Sequence, residues 1–77
     1  MSVDVIFPKL SQDPETEGVV STWFVSTGDT VATNQLIAEV QVDKVANDVA
    51  SPAAGVITLL VPEEAVVRQS ATIAIIE

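Results

Sequence analysis

The chain has 77 residues, enough for one small domain that buries about 60% of the surface its unfolded chain exposes. Its formal net charge of -8, with 11 acidic and 3 basic residues, excludes nucleic acid and anionic membranes as expected partners. Cysteine and histidine are absent, which excludes disulfides and soft metal ligands and leaves an enzyme without its usual base and strong nucleophile, so we expect no metal site and no catalytic residues.

The composition favours β-structure. Hydrophobic residues make up 48% of the chain, with fourteen Val and six Ile among them, and seven Thr add to the β-branched excess. No apolar run approaches the roughly 20 residues needed to span a bilayer, and the N-terminus lacks the basic start of a secretory signal. We therefore expect an all-β domain located in the cytoplasm, or in the mitochondrial matrix if the source is eukaryotic.

Glycine, proline, aspartate and asparagine divide the chain into short segments with strand composition. In chain order, the predicted strands are 3–7, 18–25, 36–42, 45–51, 55–61 and 72–76. Segment 36–42 shows the clearest alternation, with Leu36, Ala38, Val40 and Val42 predicted on one apolar face. Segment 62–69 begins with Pro62 and two Glu, which resembles a helix start, but about two turns of isolated helix are marginal. A tight turn is the preferred interpretation there.

An internal repeat divides the chain into two related halves. The stretch 18–21 recurs at 55–58 with an offset of 37, and residues 31, 37 and 38 match 67, 73 and 74 with an offset of 36. Two such halves predict a domain with quasi-twofold symmetry rather than a long array. The segment that joins them, 41–46, should form a hairpin opposite the two termini, which places Lys44 at one pole of the molecule.

The tip of this hairpin has unusual turn chemistry. A two-residue Asp43-Lys44 tip lacks the Asn-Gly or Asp-Gly sequence that adopts positive φ easily, although Asp tolerates that conformation better than Lys. An exposed lysine at such a tip ordinarily serves solubility or discourages edge pairing. The other lysine, Lys9, is interpreted as a solvated residue. The turn has Lys44 at the position where glycine is favoured. This is consistent with a lysine that is kept there for its chemical reactivity.

Two motifs resemble a known family. Segments 39–45 (Glu-Val-Gln-Val-Asp-Lys-Val) and 51–55 (Ser-Pro-Ala-Ala-Gly) resemble the lipoyl domain of the dihydrolipoamide acyltransferase (E2) component of 2-oxo acid dehydrogenase complexes, in the biotinyl/lipoyl-attachment family. The similarity covers almost the whole chain, because 7–10, 17–23 and 28–31 resemble the family's first strand, second strand and first tight turn. Ser11 and Glu64-Ala65 depart from it, since the family often has Gly at the first position and in the second turn.

The resemblance implies a fold and a function. The implied fold is a flattened barrel of two four-stranded antiparallel sheets, with residues 1–77 forming one carrier domain. Lys44 is implied to bear covalently attached lipoic acid, placed there by a lipoate ligase or lipoyl transferase that recognises the flanking Asp43 and Val45. The arm is implied to be reductively acylated by the 2-oxo acid decarboxylase (E1), to deliver its acyl group to CoA in the acyltransferase core (E2), and to be reoxidised by dihydrolipoamide dehydrogenase (E3).

Two alternative functions follow from the same residues. A biotin carrier domain of a carboxylase shares the implied fold but typically has Met on both sides of its lysine, whereas Asp43 and Val45 stand here. An unmodified acidic module that binds basic partners is the other alternative.

Two further expectations concern the acidic loop and the parent protein. Asp13, Glu15 and Glu17 are interpreted as a solvated loop, although the resemblance implies that this loop lies near the lipoyl hairpin and helps partner enzymes recognise the domain. Since no Ala/Pro-rich linker follows the last strand, we expect the chain to be a non-catalytic piece of a larger acyltransferase.

Overall fold

The computed structural model describes residues 2–13 and 15–77, and eight strands provide the regular structure of this part of the chain. They are β1 (Val3–Ile6), β2 (Glu17–Trp23), β3 (Thr30–Val31), β4 (Leu36–Val42), β5 (Val45–Ala50), β6 (Gly55–Leu59), β7 (Val66–Arg68) and β8 (Thr72–Ile76). Two four-stranded antiparallel sheets result, with the orders β1-β8-β6-β3 and β5-β4-β2-β7. The all-β, two-sheet prediction is confirmed. None of the described residues belongs to a helix long and apolar enough to cross a bilayer.

The two sheets are related as the internal repeat predicts. If each strand number is increased by four, counting β1 as the strand after β8, the order β1-β8-β6-β3 becomes β5-β4-β2-β7. Val31 pairs with Gly55 across β3 and β6, and Val67 pairs with Gly18 across β7 and β2. The β4–β5 hairpin is thereby equivalent to the pair formed by the end of β8 and the start of β1. These two places therefore lie at opposite poles of the quasi-twofold fold.

The core lies between the sheets and is almost entirely aliphatic. Phe7 is its one buried aromatic residue among those described, and the central strands β4 and β8 supply about half of the buried side chains. The buried apolar residues are Val5, Phe7, Val20, Val31, Ile37, Ala38, Val40, Val42, Val49, Ile57, Ile73, Ala74 and Ile76. Burial of this surface is what stabilises the fold, since the sequence offers no disulfide.

The predicted face of β4 is wrong at its first residue. Leu36 is 44% exposed, whereas Ile37 is fully buried beside Ala38. The reason is a register shift between Leu36 and Ala38 in the pairing with β5, since a bulge adds one residue and interrupts the alternation of side chains. From Ala38 onward the predicted alternation holds, with Val40 and Val42 buried.

Segment 62–69 forms a tight turn and then a short strand, so the preferred interpretation is confirmed. The Ala65 amide donates to the Pro62 carbonyl over 3.2 Å, and the Glu64 amide donates to the Val20 carbonyl over 2.7 Å. β7 follows directly as Val66–Arg68. β3 and β7 were not among the predicted strands, because two or three residues are too few to show a periodic pattern.

Candidate modification site

Lys44 lies at the tip of the β4–β5 hairpin. Val42 pairs with Val45, so Asp43 and Lys44 alone form the turn. Asp43 adopts the left-handed conformation, with φ of 53°, and Lys44 does not. The residue type that tolerates positive φ thus carries the backbone strain, which leaves the lysine in an ordinary conformation. The Gln41 Nε2 donates to the Asp43 carbonyl over 3.1 Å and helps to hold this turn.

The hairpin has a rigid base. Val42, directly before the tip, is 2% exposed, and Phe7 is fully buried. A Cβ placed on Gly18 would lie 2.8 Å from Phe7 Cε1 and 2.9 Å from Val42 Cγ2, which is closer than real Cβ contacts allow. Only glycine therefore lets β2 approach both side chains. Phe7, Gly18 and Val42 together join the hairpin to the loop that follows β1.

Gln69 holds this loop in place. Its Oε1 accepts hydrogen bonds from the Leu10 and Ser11 amides over 2.7 and 2.8 Å. Its Nε2 donates to the Asp13 and Thr16 carbonyls over 3.2 and 2.9 Å. The glutamine is 8% exposed, so its amide is satisfied almost entirely by loop backbone. The described loop residues on both sides of position 14 are thereby held in place by one side chain.

The same pole has an acidic surface. Asp13 and Glu15 are exposed in this loop, and Glu17 begins β2. Arg68 Nη2 lies 4.0 Å from Glu15 Oε2, but both side chains are largely exposed, so this pair contributes little stability. Arg68 also lies opposite Glu17 in the pairing of β7 with β2. Since Glu17 directly precedes Gly18, whose backbone packs against Val42, the end of the acidic loop lies near the base of the hairpin.

The chemistry available at the tip is that of a free primary amine on a fixed backbone. Lys44 is exposed, and within residues 2–13 and 15–77 it forms no ion pair and no side-chain hydrogen bond. An acyl group joined to its Nζ would displace no packed neighbour. The residues present therefore fit a cofactor held through an amide bond.

The sequence profile of the biotin/lipoyl family, described as "Biotin-requiring enzyme", matches residues 3–76. The chain belongs to this family. Among curated proteins, it is 41% identical over 64 residues to the dihydrolipoyllysine-residue acetyltransferase component of the pyruvate dehydrogenase complex of Corynebacterium glutamicum. It is 37% identical over 57 residues to the succinyltransferase component of the 2-oxoglutarate dehydrogenase complex of Rickettsia typhi, and 43% identical over 56 residues to the pyruvate dehydrogenase acetyltransferase of Mycobacterium bovis.

The matches are confined to small parts of these relatives. They cover 83%, 74% and 73% of this chain but only 9%, 14% and 10% of the relatives' own lengths. The chain thus corresponds to a domain-sized segment of much larger acyltransferase components, in agreement with the expected non-catalytic domain. The predicted family resemblance is confirmed.

Within this member of the biotin/lipoyl family, the predicted site residues are contiguous at one pole. Asp43 and Lys44 form the tip, and Val45, 53% exposed, begins β5. Lys9 is an exposed residue of the loop after β1 and is not part of a two-residue hairpin turn. Sequence reasoning missed Gln69, because the repeat aligns it with the exposed Thr33 and no local pattern marks it.

Proposed function

We propose that the chain is a lipoyl carrier domain of an E2 acyltransferase, with lipoate joined to Lys44 Nζ through an amide bond. The observation that carries this proposal is an exposed lysine, without an ion-pair partner among residues 2–13 and 15–77, at a two-residue tip whose base is fixed in the core. When bound, lipoate supplies the dithiolane chemistry of acyl transfer and reoxidation, and the protein supplies placement. Relatives named as acetyltransferase and succinyltransferase components support a lipoate-type group.

The residues around Lys44 serve to position its amine. Asp43 adopts the left-handed φ, and the Gln41 side chain donates a hydrogen bond to the Asp43 carbonyl. Val42, which is buried, fixes the direction in which the hairpin projects. A long flexible arm on a rigid base reaches several active sites, and tethering raises the effective concentration of the carried group at each of them. Lys44 and the junction of β1 with β8 lie at opposite poles, so the arm projects away from the place where flanking chain would attach.

The proposed partners are those that such an arm must visit. They are a lipoate ligase or lipoyl transferase, a 2-oxo acid decarboxylase (E1), the acyltransferase core (E2) and dihydrolipoamide dehydrogenase (E3). Support comes from the relatives, which are named as components of pyruvate and 2-oxoglutarate dehydrogenase complexes. We propose that the ligase recognises Asp43 and Val45, since both side chains are exposed and flank the lysine.

A biotin carrier domain is the second candidate, because the family description itself refers to biotin-requiring enzymes. The residues beside Lys44 favour lipoate, since this chain has Asp43 and Val45 where Met residues typically flank a biotinylated lysine.

The deciding experiment is modification in parallel by a lipoate ligase and a biotin ligase, followed by intact mass and peptide mapping. We expect one lipoyl group on the peptide that contains Lys44, none after Lys44→Arg, and wild-type yield after the control Lys9→Arg. A lipoyl group on Lys9, or no modification at Lys44, would overturn the site. Modification by the biotin ligase alone would replace lipoate by biotin as the cofactor.

A further inference from the structure

A groove of about 520 Å³ runs along the side of the molecule where segments 23–27 and 59–63 meet. The two segments correspond to each other in the internal repeat, so the groove lies midway between the poles. Trp23, on one wall, pairs with Ala38, which is six residues before Lys44 along β4. At about 3.3 Å per residue, the groove is roughly 20 Å from the hairpin tip. It is therefore distinct from the proposed modification site.

The groove walls are tied to each other. Trp23 Nε1 donates to the Val61 carbonyl over 3.0 Å, and the Trp23 amide donates to Glu63 Oε2 over 3.2 Å. The Leu59 amide donates to Thr27 Oγ1 over 2.9 Å. Since these bonds join the opposite walls, a ligand would meet a preformed surface and would not have to order it.

Apolar side chains are exposed at this groove. Leu60, a lining residue, is 51% exposed, and the lining residue Pro62 is also exposed. Trp23 supplies an aromatic side chain to the same lining. Concave surfaces lined by aromatic and large aliphatic side chains are typical of ligand and peptide sites.

The charge around the groove has one sign. Glu63 is the only charged residue among the described residues that line it, and Glu64 follows it in the chain. Asp29 stands at the rim, where its Oδ2 accepts a hydrogen bond from the Ser26 amide over 2.8 Å. No lysine or arginine belongs to the described lining, so the negative potential there has no local counter-charge.

We propose that this groove is a second binding site, which takes a short segment of a partner protein carrying Leu or Phe between lysine or arginine residues. The apolar floor accommodates the hydrophobic side chain, and Glu63, Glu64 and Asp29 attract the flanking cations. Because the groove is remote from Lys44, a bound partner leaves the hairpin tip accessible. The site thus goes beyond the carrier function and does not depend on it.

The test is an NMR titration of the unmodified protein with a short synthetic peptide that has Leu-Phe between pairs of lysines. Trp23 is the only tryptophan, so its indole N–H gives a single reporter signal in the groove wall. We expect a saturable shift of this signal, with little change at Asp43 or Lys44. The same peptide with glutamates in place of lysines should leave the signal unmoved.

Three variants locate the site. Leu60→Ser removes the exposed apolar side chain and should weaken binding about tenfold. Glu63→Gln keeps an oxygen acceptor for the Trp23 amide while removing the charge, and should weaken binding several-fold at low salt. The control Val56→Ser removes a similarly exposed apolar side chain from β6, outside the groove lining, and should bind as wild type.

Four results would overturn the proposal. The first is an indole signal that stays unmoved at saturating peptide, and the second is equal binding of the lysine and glutamate peptides. The third is a shift that follows protein concentration without peptide, because the occupant would then be a second copy of this chain. Unchanged affinity in both groove variants, with their spectra still dispersed, would likewise place the peptide elsewhere.

Discussion

Glu64 occupies a backbone conformation that favours glycine. Its φ is 68°, and the equivalent position in the first half of the repeat is Gly28, with φ of 98°. The left-handed region costs an ordinary L-residue about 1–2 kcal/mol, because its Cβ crowds the following carbonyl. The Glu64 amide nevertheless donates to the Val20 carbonyl, so the turn keeps this conformation. The departure from the family at this turn is therefore a local strain in a preserved structure.

We predict that Glu64→Gly raises the free energy of unfolding by about 0.5–1 kcal/mol. Relief of the strained φ outweighs the greater freedom that glycine gives the unfolded chain. Urea unfolding followed by Trp23 fluorescence measures the change. Asn34→Gly is the matched control, since Asn34 has φ of 70° but already tolerates it, and should gain less.

Glu64→Gln separates strain from charge, because it removes the carboxylate and keeps the Cβ. If Glu64→Gln stabilised the protein as much as Glu64→Gly, the gain would come from the loss of one negative charge and not from the backbone.

At the scale of the element, the pairing of β4 with β5 determines the face of the sheet on which each side chain of the hairpin projects. Residues directly opposite each other in an antiparallel pair project on the same face, so Val45 projects on the side of its buried partner Val42. Lys44, in the turn, is free of that constraint. One step along the chain therefore changes the direction in which an amine would leave the hairpin.

We predict that exchanging the residues at 44 and 45, by Lys44→Val with Val45→Lys, blocks lipoylation while the chain still folds. The ligase must bring one amine to an activated carbonyl at about 3–3.5 Å, and an amine that projects along the sheet face misses that position. Net charge and composition are unchanged, so electrostatics would not account for a loss. Mass spectrometry measures the yield and amide dispersion reports the fold. A folded variant lipoylated at the wild-type rate would show that local sequence alone directs the ligase.

The loop at 7–16 depends on a different element of the chain. Four backbone groups of this loop bond to the Gln69 side chain, which comes from the turn between β7 and β8. Without that side chain, partly buried amides and carbonyls would lose their partners, and each unsatisfied group costs about 1–3 kcal/mol. The loop conformation at the lysine pole is therefore set by a residue more than 50 positions away.

We predict that Gln69→Leu speeds hydrogen exchange at the Leu10 and Ser11 amides by at least about tenfold and lowers the free energy of unfolding by about 1–3 kcal/mol. Gln69→Glu keeps the oxygen that accepts from both amides and should protect them better than Gln69→Leu. Equal exchange rates in the wild type and in both variants would mean that Gln69 does not hold the loop.

At the scale of the whole molecule, charge opposes folding. Eleven carboxylates and three basic residues are confined to a fold with principal extents of 32 × 21 × 19 Å. Repulsion among like charges disfavours the compact state, and salt screens it over a Debye length of about 10 Å at 0.1 M. The Arg68–Glu15 pair is too exposed to offset this repulsion.

We predict that raising NaCl from about 0.01 to about 0.5 M increases Tm by about 2–5 °C, since less than 1 kcal/mol accounts for such a shift in a small domain. Lys9→Glu makes the chain two charges more negative at an exposed position and should steepen this dependence. Thermal unfolding by circular dichroism measures both proteins. A Tm that falls with salt would mean that attractive pairs outweigh the repulsion.

The sequence alone determined the fold class, the two-half organisation and the residue at the hairpin tip. These can be read from the sequence because β-branched composition, the recurrence of residue types at an offset of 36 to 37 and the Asp43-Lys44 turn require no knowledge of which segments pack together. The alternation of β4 from Ala38 to Val42 is predictable for the same reason.

Only the tertiary structure decided the burial of Ile37, the role of Gln69 and the existence of the side groove. A bulge depends on how two strands pair, so no pattern within β4 alone reveals that Leu36 faces solvent. The Gln69 bonds join positions 53 to 59 residues apart, and the groove joins segments about 36 residues apart. Such features arise when distant segments pack, because the free energy of a contact depends on which groups meet in space and not on their order in the chain.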